Sequence, residues 1–260
     1  MLKEFFGFDG YSKQPEGAYS WQHLLMTGLS IALMIGLAIV IGLRNRKKDE
    51  VAKNKVLIIS AILIDSVELF KIIIFCIRAH NAMHWIYCLP LFLCSIQLIT
   101  IPFAAFSKGR IKEAALDFIF VFGILGAIAG TVGAAQNYNA YPVLSFNNMV
   151  STFTHCVSGF CSLYIVIAGM QSMKKNNIWI LCAILLGFML LALIADYTIP
   201  YNYMFLVRDD STPYIMITKL VKGNKVLYPI GVLFLFALYI AVFYAGYYLT
   251  CGLIKKRHTN

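Results

Sequence analysis

The residues of this chain best suited to chemistry lie inside its most apolar stretches. In "NNMVSTFTHCVSGFCSLY", residues 147–164, Asn148, Ser151, Thr152, His155, Ser158, Gly159 and Ser162 recur at three- and four-residue steps. On a helix they form one polar stripe. His155 can both give and take a proton near neutral pH. In "SAILIDSVELFKIIIF", residues 60–75, Asp65, Glu68 and Lys71 follow at i, i+3 and i+6, so Asp65 and Glu68 share a face and Glu68 can pair with Lys71. In "WIYCLPLFLCSIQL", residues 85–98, Pro90 interrupts an oily run that also holds Cys88, Cys94 and Gln97. Read as a helix, this segment bends at Pro90, and Cys94 and Gln97 fall on one face.

Each group also has a plainer reading. Serines and glycines let membrane helices approach closely, and Gly126 with Gly130 has the GxxxG spacing of such packing. Glu68 and Lys71 can be a structural ion pair. A cysteine in an apolar span is ordinarily a small buried filler. Against these stands the cost of polar side chains in hydrocarbon, which makes them face one another or a wet cavity and marks them as functional candidates.

The elements that must position these residues are membrane helices. The chain has 260 residues, 60% hydrophobic and 13% charged, with a mean hydropathy of +0.75. That composition excludes an ordinary soluble globular protein. Windows of about 20 nearly uncharged residues match the thickness of a bilayer core. They predict an all-α, polytopic seven-transmembrane-helix bundle: 24–43, 56–77, 82–106, 114–135, 149–170, 178–197 and 226–249. The whole chain, 1–260, reads as a single membrane domain: an extracytoplasmic segment 1–23, the seven helices over 24–254 and a tail 255–260. The first span is expected to be retained, since Glu4, Asp9 and Glu16 precede it in place of a basic start and a cleavage site.

The net charge of +10 is distributed as a topology signal. Alternate linkers and the tail carry fourteen basic residues, among them Arg44, Arg46, Lys47, Lys48, Lys108 and Lys174, against seven on the other side. The positive-inside rule then sets the N-terminus outside and the C-terminus in the cytoplasm, in a multi-pass protein of the cell membrane. The basic excess favours anionic lipid headgroups and gives no reason to expect nucleic acid. On this topology His23 lies at the outer boundary and Glu68, Cys94 and His155 in the outer half of the membrane. The segment after the sixth span, with Asn202 and Tyr203, reads as an aromatic belt or as a lid over the same cavity. Seven cysteines without a pairing pattern, and no metal-ligand spacing or phosphate loop, predict neither disulfide, metal nor cofactor.

"WQHLL" at the first span, "LPLFLCS" in the third, "FTHC" in the fifth and "NYMFL" after the sixth come in an order and spacing that resembles the YwaF-type bacterial membrane proteins. These are similar to eukaryotic transmembrane protein 164, a lipid acyltransferase. The resemblance spans essentially the whole chain. It implies a compact helical bundle and transfer of a fatty acyl chain from a phospholipid to a lysophospholipid, with a cysteine nucleophile and a histidine base. The histidine matches His155. The cysteine matches Cys94, or its register falls at Leu91, and Phe92 stands where bacterial relatives commonly carry a histidine.

Two functions follow from these residues. In an enzyme, His155 draws the Cys94 proton, Glu68 orients or charge-balances the histidine, Lys71 holds a headgroup phosphate, and Ser151, Thr152 or Gln97 donates to the oxyanion. In a transporter or binding protein, the cavity around Glu68, Lys71, Asp65, His23 and His155 accepts a solute or relays protons.

Overall fold

Without water to bond to, a backbone in hydrocarbon must satisfy its own N–H and C=O groups, which confines a chain of this composition to helices. The computed structural model describes residues 2–210 and 212–259 and is all-helical, with no strand among the described residues. The helices are α1 (Leu2–Phe6), α2 (Trp21–Asn45), α3 (Glu50–Arg78), α4 (Gln97–Phe106), α5 (Gly109–Thr131), α6 (Ala135–Ala140), α7 (Phe146–Ile167), α8 (Ile178–Thr198), α9 (Ile215–Leu220) and α10 (Leu227–Thr259). Among the described residues, five helical stretches are long and apolar enough to cross a membrane: Trp21–Asn45, Gly109–Ala140, Phe146–Ile167, Lys175–Thr198 and Leu227–Leu253.

The second and third expected spans differ from these five. α3 is long enough, its 29 residues reaching on the order of 43 Å, but Asp65, Glu68 and Lys71 interrupt its apolar run. The third span is not one bent helix. A 3-10 turn, Ala82–Cys88, ends in an extended Leu89 with φ −60° and ψ 143°, and α4 begins only at Gln97. The physical reason is that a residue before proline is pushed out of the helical region and the proline brings no N–H, so the chain breaks where a bend was expected. Helical turns restart beyond Pro90, with the Ser95 and Ile96 N–H groups both donating to the Phe92 carbonyl, at 2.9 and 3.1 Å.

Local sequence explains where the helices start. Ser20, Asp49 and Ser145 each turn a side-chain oxygen back onto the backbone N–H three residues on, capping α2, α3 and α7.

The chain forms two compact units, residues 1–177 and 178–260. At the centre of the first is α5, buried without interruption from Ala114 to Gly123. It packs against α7 and α4, while α7 also meets α2 and α3. Leu57, Ile64, Ile101, Ile119 and Tyr164 belong to its core. The segment before α2 is anchored too: Phe6 packs on Phe70 and Phe146, and the Val143 N–H donates to Glu16 Oε2 at 2.8 Å. The second unit contains α8, α9 and α10, with Tyr228 donating from its hydroxyl to the Phe205 carbonyl at 2.8 Å.

Candidate active site

His155 stands in the middle of α7, where its ring is oriented by its own helix. Nδ1 donates to the Ser151 carbonyl one turn earlier at 2.6 Å, and the Ser151 hydroxyl lies 3.4 Å from the same nitrogen. With Nδ1 committed as a donor, Nε2 of the neutral ring carries the lone pair. The Ser151 carbonyl is thus an orienting partner of the ring, beside any part Glu68 has in balancing its charge.

Cys94 comes to this ring from the helical turn beyond Pro90. The thiol and the imidazole lie close enough to interact, and Ser95 lies beside the thiol. The glycines of α5 make the meeting possible. A Cβ on Gly130 would overlap the His155 ring near Nε2, whereas one on Gly126 would lie 3.5 Å from Cys94 Cβ, an ordinary contact. The GxxxG pair is therefore the floor under both groups, a role that its spacing alone did not reveal. Ser95 was also missed, because a serine beside a cysteine has no periodic signal.

The ionic group lies next to this pair. Glu68 and Lys71 form an ion pair, with their side chains 12% and 22% exposed. A cavity of about 240 Å³ is lined by Asp65, Glu68, Cys88, Pro90 and Leu98, among others. Cys94 and His155 do not line it, but Lys71 is within electrostatic reach of His155. The cavity rim includes Leu69 and Ile99, both exposed on the surface.

Other candidate residues are engaged elsewhere. His23 is fully buried; its Nδ1 accepts from the Tyr19 N–H at 2.9 Å, and Nε2 contacts the Thr131 carbonyl at 3.1 Å. Its ring stacks on Tyr138 at 3.7 Å. Tyr138 in turn shares a hydrogen bond of 2.8 Å with Thr152. His23 and Thr152 thus tie α2, α6 and α7 together, and neither is brought to Cys94. Gln97 is fully buried one turn beyond Cys94, its Oε1 accepting from Thr100 Oγ1 at 3.1 Å.

Asn202 and Tyr203 belong to the second unit. Asn202 donates to the Arg208 carbonyl and to Asp210, and the Tyr203 N–H donates to Asp196 at 2.6 Å. These bonds hold their own loop, in which Met204 and Phe205 adopt positive φ.

Asp117 was not anticipated. Fully buried in α5, it accepts from Ser172 Oγ, from the N–H groups of Ser172 and Met173, and from Asn177 Nδ2, at 2.8–3.2 Å. It ties down the chain after α7. Among the described residues no three His, Cys, Asp or Glu side chains converge to hold a metal, and the seven cysteines are unpaired.

An all-helical chain with several membrane-length helices and a thiol–imidazole contact among them defines a multi-pass membrane protein with a polar centre. More particularly, the chain belongs to the TMEM164 family, whose model matches residues 18–247. No curated protein and no solved structure matches it.

Proposed function

We propose that this protein is a membrane-embedded lipid acyltransferase that moves a fatty acyl chain from a phospholipid to a lysophospholipid through a Cys94 thioester. The observation that supports the reading is the approach of Cys94 and the His155 imidazole over Gly126 and Gly130 of α5, with the ring's Nδ1 held by the Ser151 carbonyl. Such a ring accepts the thiol proton at Nε2 and leaves a thiolate nucleophile. The thiolate adds to the ester carbonyl of the donor lipid. Collapse breaks the ester C–O bond, and the departing alkoxide takes the proton from the imidazolium. In the second half, a lysolipid hydroxyl gives its proton to His155 and attacks the thioester; the C–S bond breaks and the thiolate is reprotonated.

The surroundings suit a substrate that stays in the bilayer. The cavity lined by Asp65 and Glu68 supplies a place for a headgroup, with Lys71, the ion-pair partner of Glu68, as the phosphate contact. In this reading all seven apolar segments cross the membrane, the basic linkers face the cytoplasm and the site opens toward the outer leaflet.

The separation of that cavity from the Cys94–His155 contact favours a second reading, a non-enzymatic lipid- or solute-binding or transport protein. One experiment separates the two. The purified protein, reconstituted with a labelled phospholipid and an unlabelled lysophospholipid, should form labelled product, and Cys94→Ser should abolish it. Wild-type protein without transfer activity, or a Cys94→Ser protein that keeps it, refutes the thioester route. A binding protein would tolerate Cys94→Ser and lose ligand on Glu68→Gln.

A further inference from the structure

Two polar side chains beside the thiol–imidazole contact are buried with no hydrogen-bond partner for one atom: Gln97 at Nε2 and Ser158 at Oγ. Gln97 lies three residues after Cys94, and Ser158 three after His155. A buried donor without an acceptor is costly and is ordinarily selected against. The two are not equivalent. The Ser158 hydroxyl sits on a helix whose own carbonyls it reaches by rotation. The Gln97 amide is planar, and its Oε1 is held by the Thr100 hydroxyl, so the NH2 group is turned away from that bond and left open. Gln97 is 0% exposed. It opens α4 three residues after Cys94, its backbone N–H donating to the Cys94 carbonyl at 3.4 Å.

Resting on the acyl-transfer reading above, we infer that Gln97 Nε2 is the side-chain donor of the oxyanion hole, acting with the backbone N–H of Cys94 itself. The other hydroxyls near the reaction are committed. Ser151 faces His155 Nδ1, Thr152 bonds to Tyr138, and Ser95 lies beside the thiol itself. When the thiolate forms a C–S bond to the carbonyl carbon, the carbonyl π pair moves onto oxygen. That oxygen then accepts from Gln97 Nε2 and the Cys94 N–H until the ester C–O bond breaks and the carbonyl re-forms. The open donor is thus satisfied only while substrate is present, which directs its binding toward the tetrahedral state.

The test compares two reactions of one thiol. Formation of the Cys94 thioester from a labelled phospholipid passes through an oxyanion; alkylation of Cys94 by iodoacetamide does not. Gln97→Leu should slow thioester formation about 10²–10³-fold while leaving the rate of Cys94 alkylation within about twofold of wild type. Gln97→Met, also lacking a donor, should behave the same way. Thioester formation at the wild-type rate in either variant overturns the assignment. So does a parallel loss of alkylation in both, which would make Gln97 a support of the thiol. If wild-type protein forms no thioester that disappears in Cys94→Ser, it is the acyl-transfer reading that fails, and the oxyanion assignment falls with it.

Discussion

At Gly130 a single methyl group decides whether the His155 ring keeps its place. A Cβ there would occupy the space of the imidazole, while one at Gly126 would meet Cys94 only at 3.5 Å. Gly130→Ala should therefore lower the proposed acyl transfer about 100-fold, the scale of a misplacement of about 1 Å at a reacting centre. The fold should hold, because alanine is favoured over glycine in a helix by about 1 kcal/mol. Gly126→Ala should retain most of the activity. Measuring transfer for both variants alongside their helical circular dichroism checks this contrast; equal activities would show that the glycine floor does not position the ring. His155 and Cys94 are legible in the sequence as polar groups within apolar stretches, but their orienting partners are not. The Ser151 carbonyl is backbone and leaves no mark in residue type, and the open donor of Gln97 exists only because the neighbouring side chains are already bonded.

At the scale of elements, most helices could be read from hydrophobic length, while the starts set by the caps at Ser20, Asp49 and Ser145 lie a few residues ahead of the apolar windows. The third span could not. Pro90 was visible, yet whether it bends a helix or ends one depends on what the flanking chain gains outside the helix, here a 3-10 turn before it and a new run of turns carrying Cys94 after it. Asp117 was hidden for a similar reason. Its four donors come from a loop more than fifty residues later in the chain, so nothing local distinguishes it from an exposed acid at the start of a helix. Asp117→Ala leaves these donors buried without their charged acceptor and should cost about 3 kcal/mol or more. A clear drop in the midpoint of thermal unfolding in detergent is the expected result, and an unchanged midpoint would remove Asp117 as the tie between α5 and the segment after α7.

For the whole molecule, the governing fact is a surface that suits oil better than water. On α2 the exposed residues include Leu29, Leu33, Leu37 and Val40, and on α8 Leu190, Leu191 and Ile194. The proposed orientation, N-terminus out, follows from the basic linkers and has a direct check. In intact cells a membrane-impermeant maleimide should label Lys13→Cys above the wild-type background and should label Lys47→Cys only after permeabilisation. The reverse pattern would invert the bundle and move the site toward the cytoplasmic leaflet.

By itself the sequence determined that the chain is helical, that it belongs in a membrane, and which few side chains would be out of place in lipid. Those properties follow from composition and from periodicity over a few turns, because both the transfer of a residue into hydrocarbon and its helical hydrogen bonds are local. Only the tertiary structure decided which polar groups meet. Cys94 reaches His155, whereas His23 and Thr152 join Tyr138 and Asn202 closes a loop of its own unit. Such contacts arise from how closely two helices approach and where a third one breaks, and both depend on residues distant in the chain.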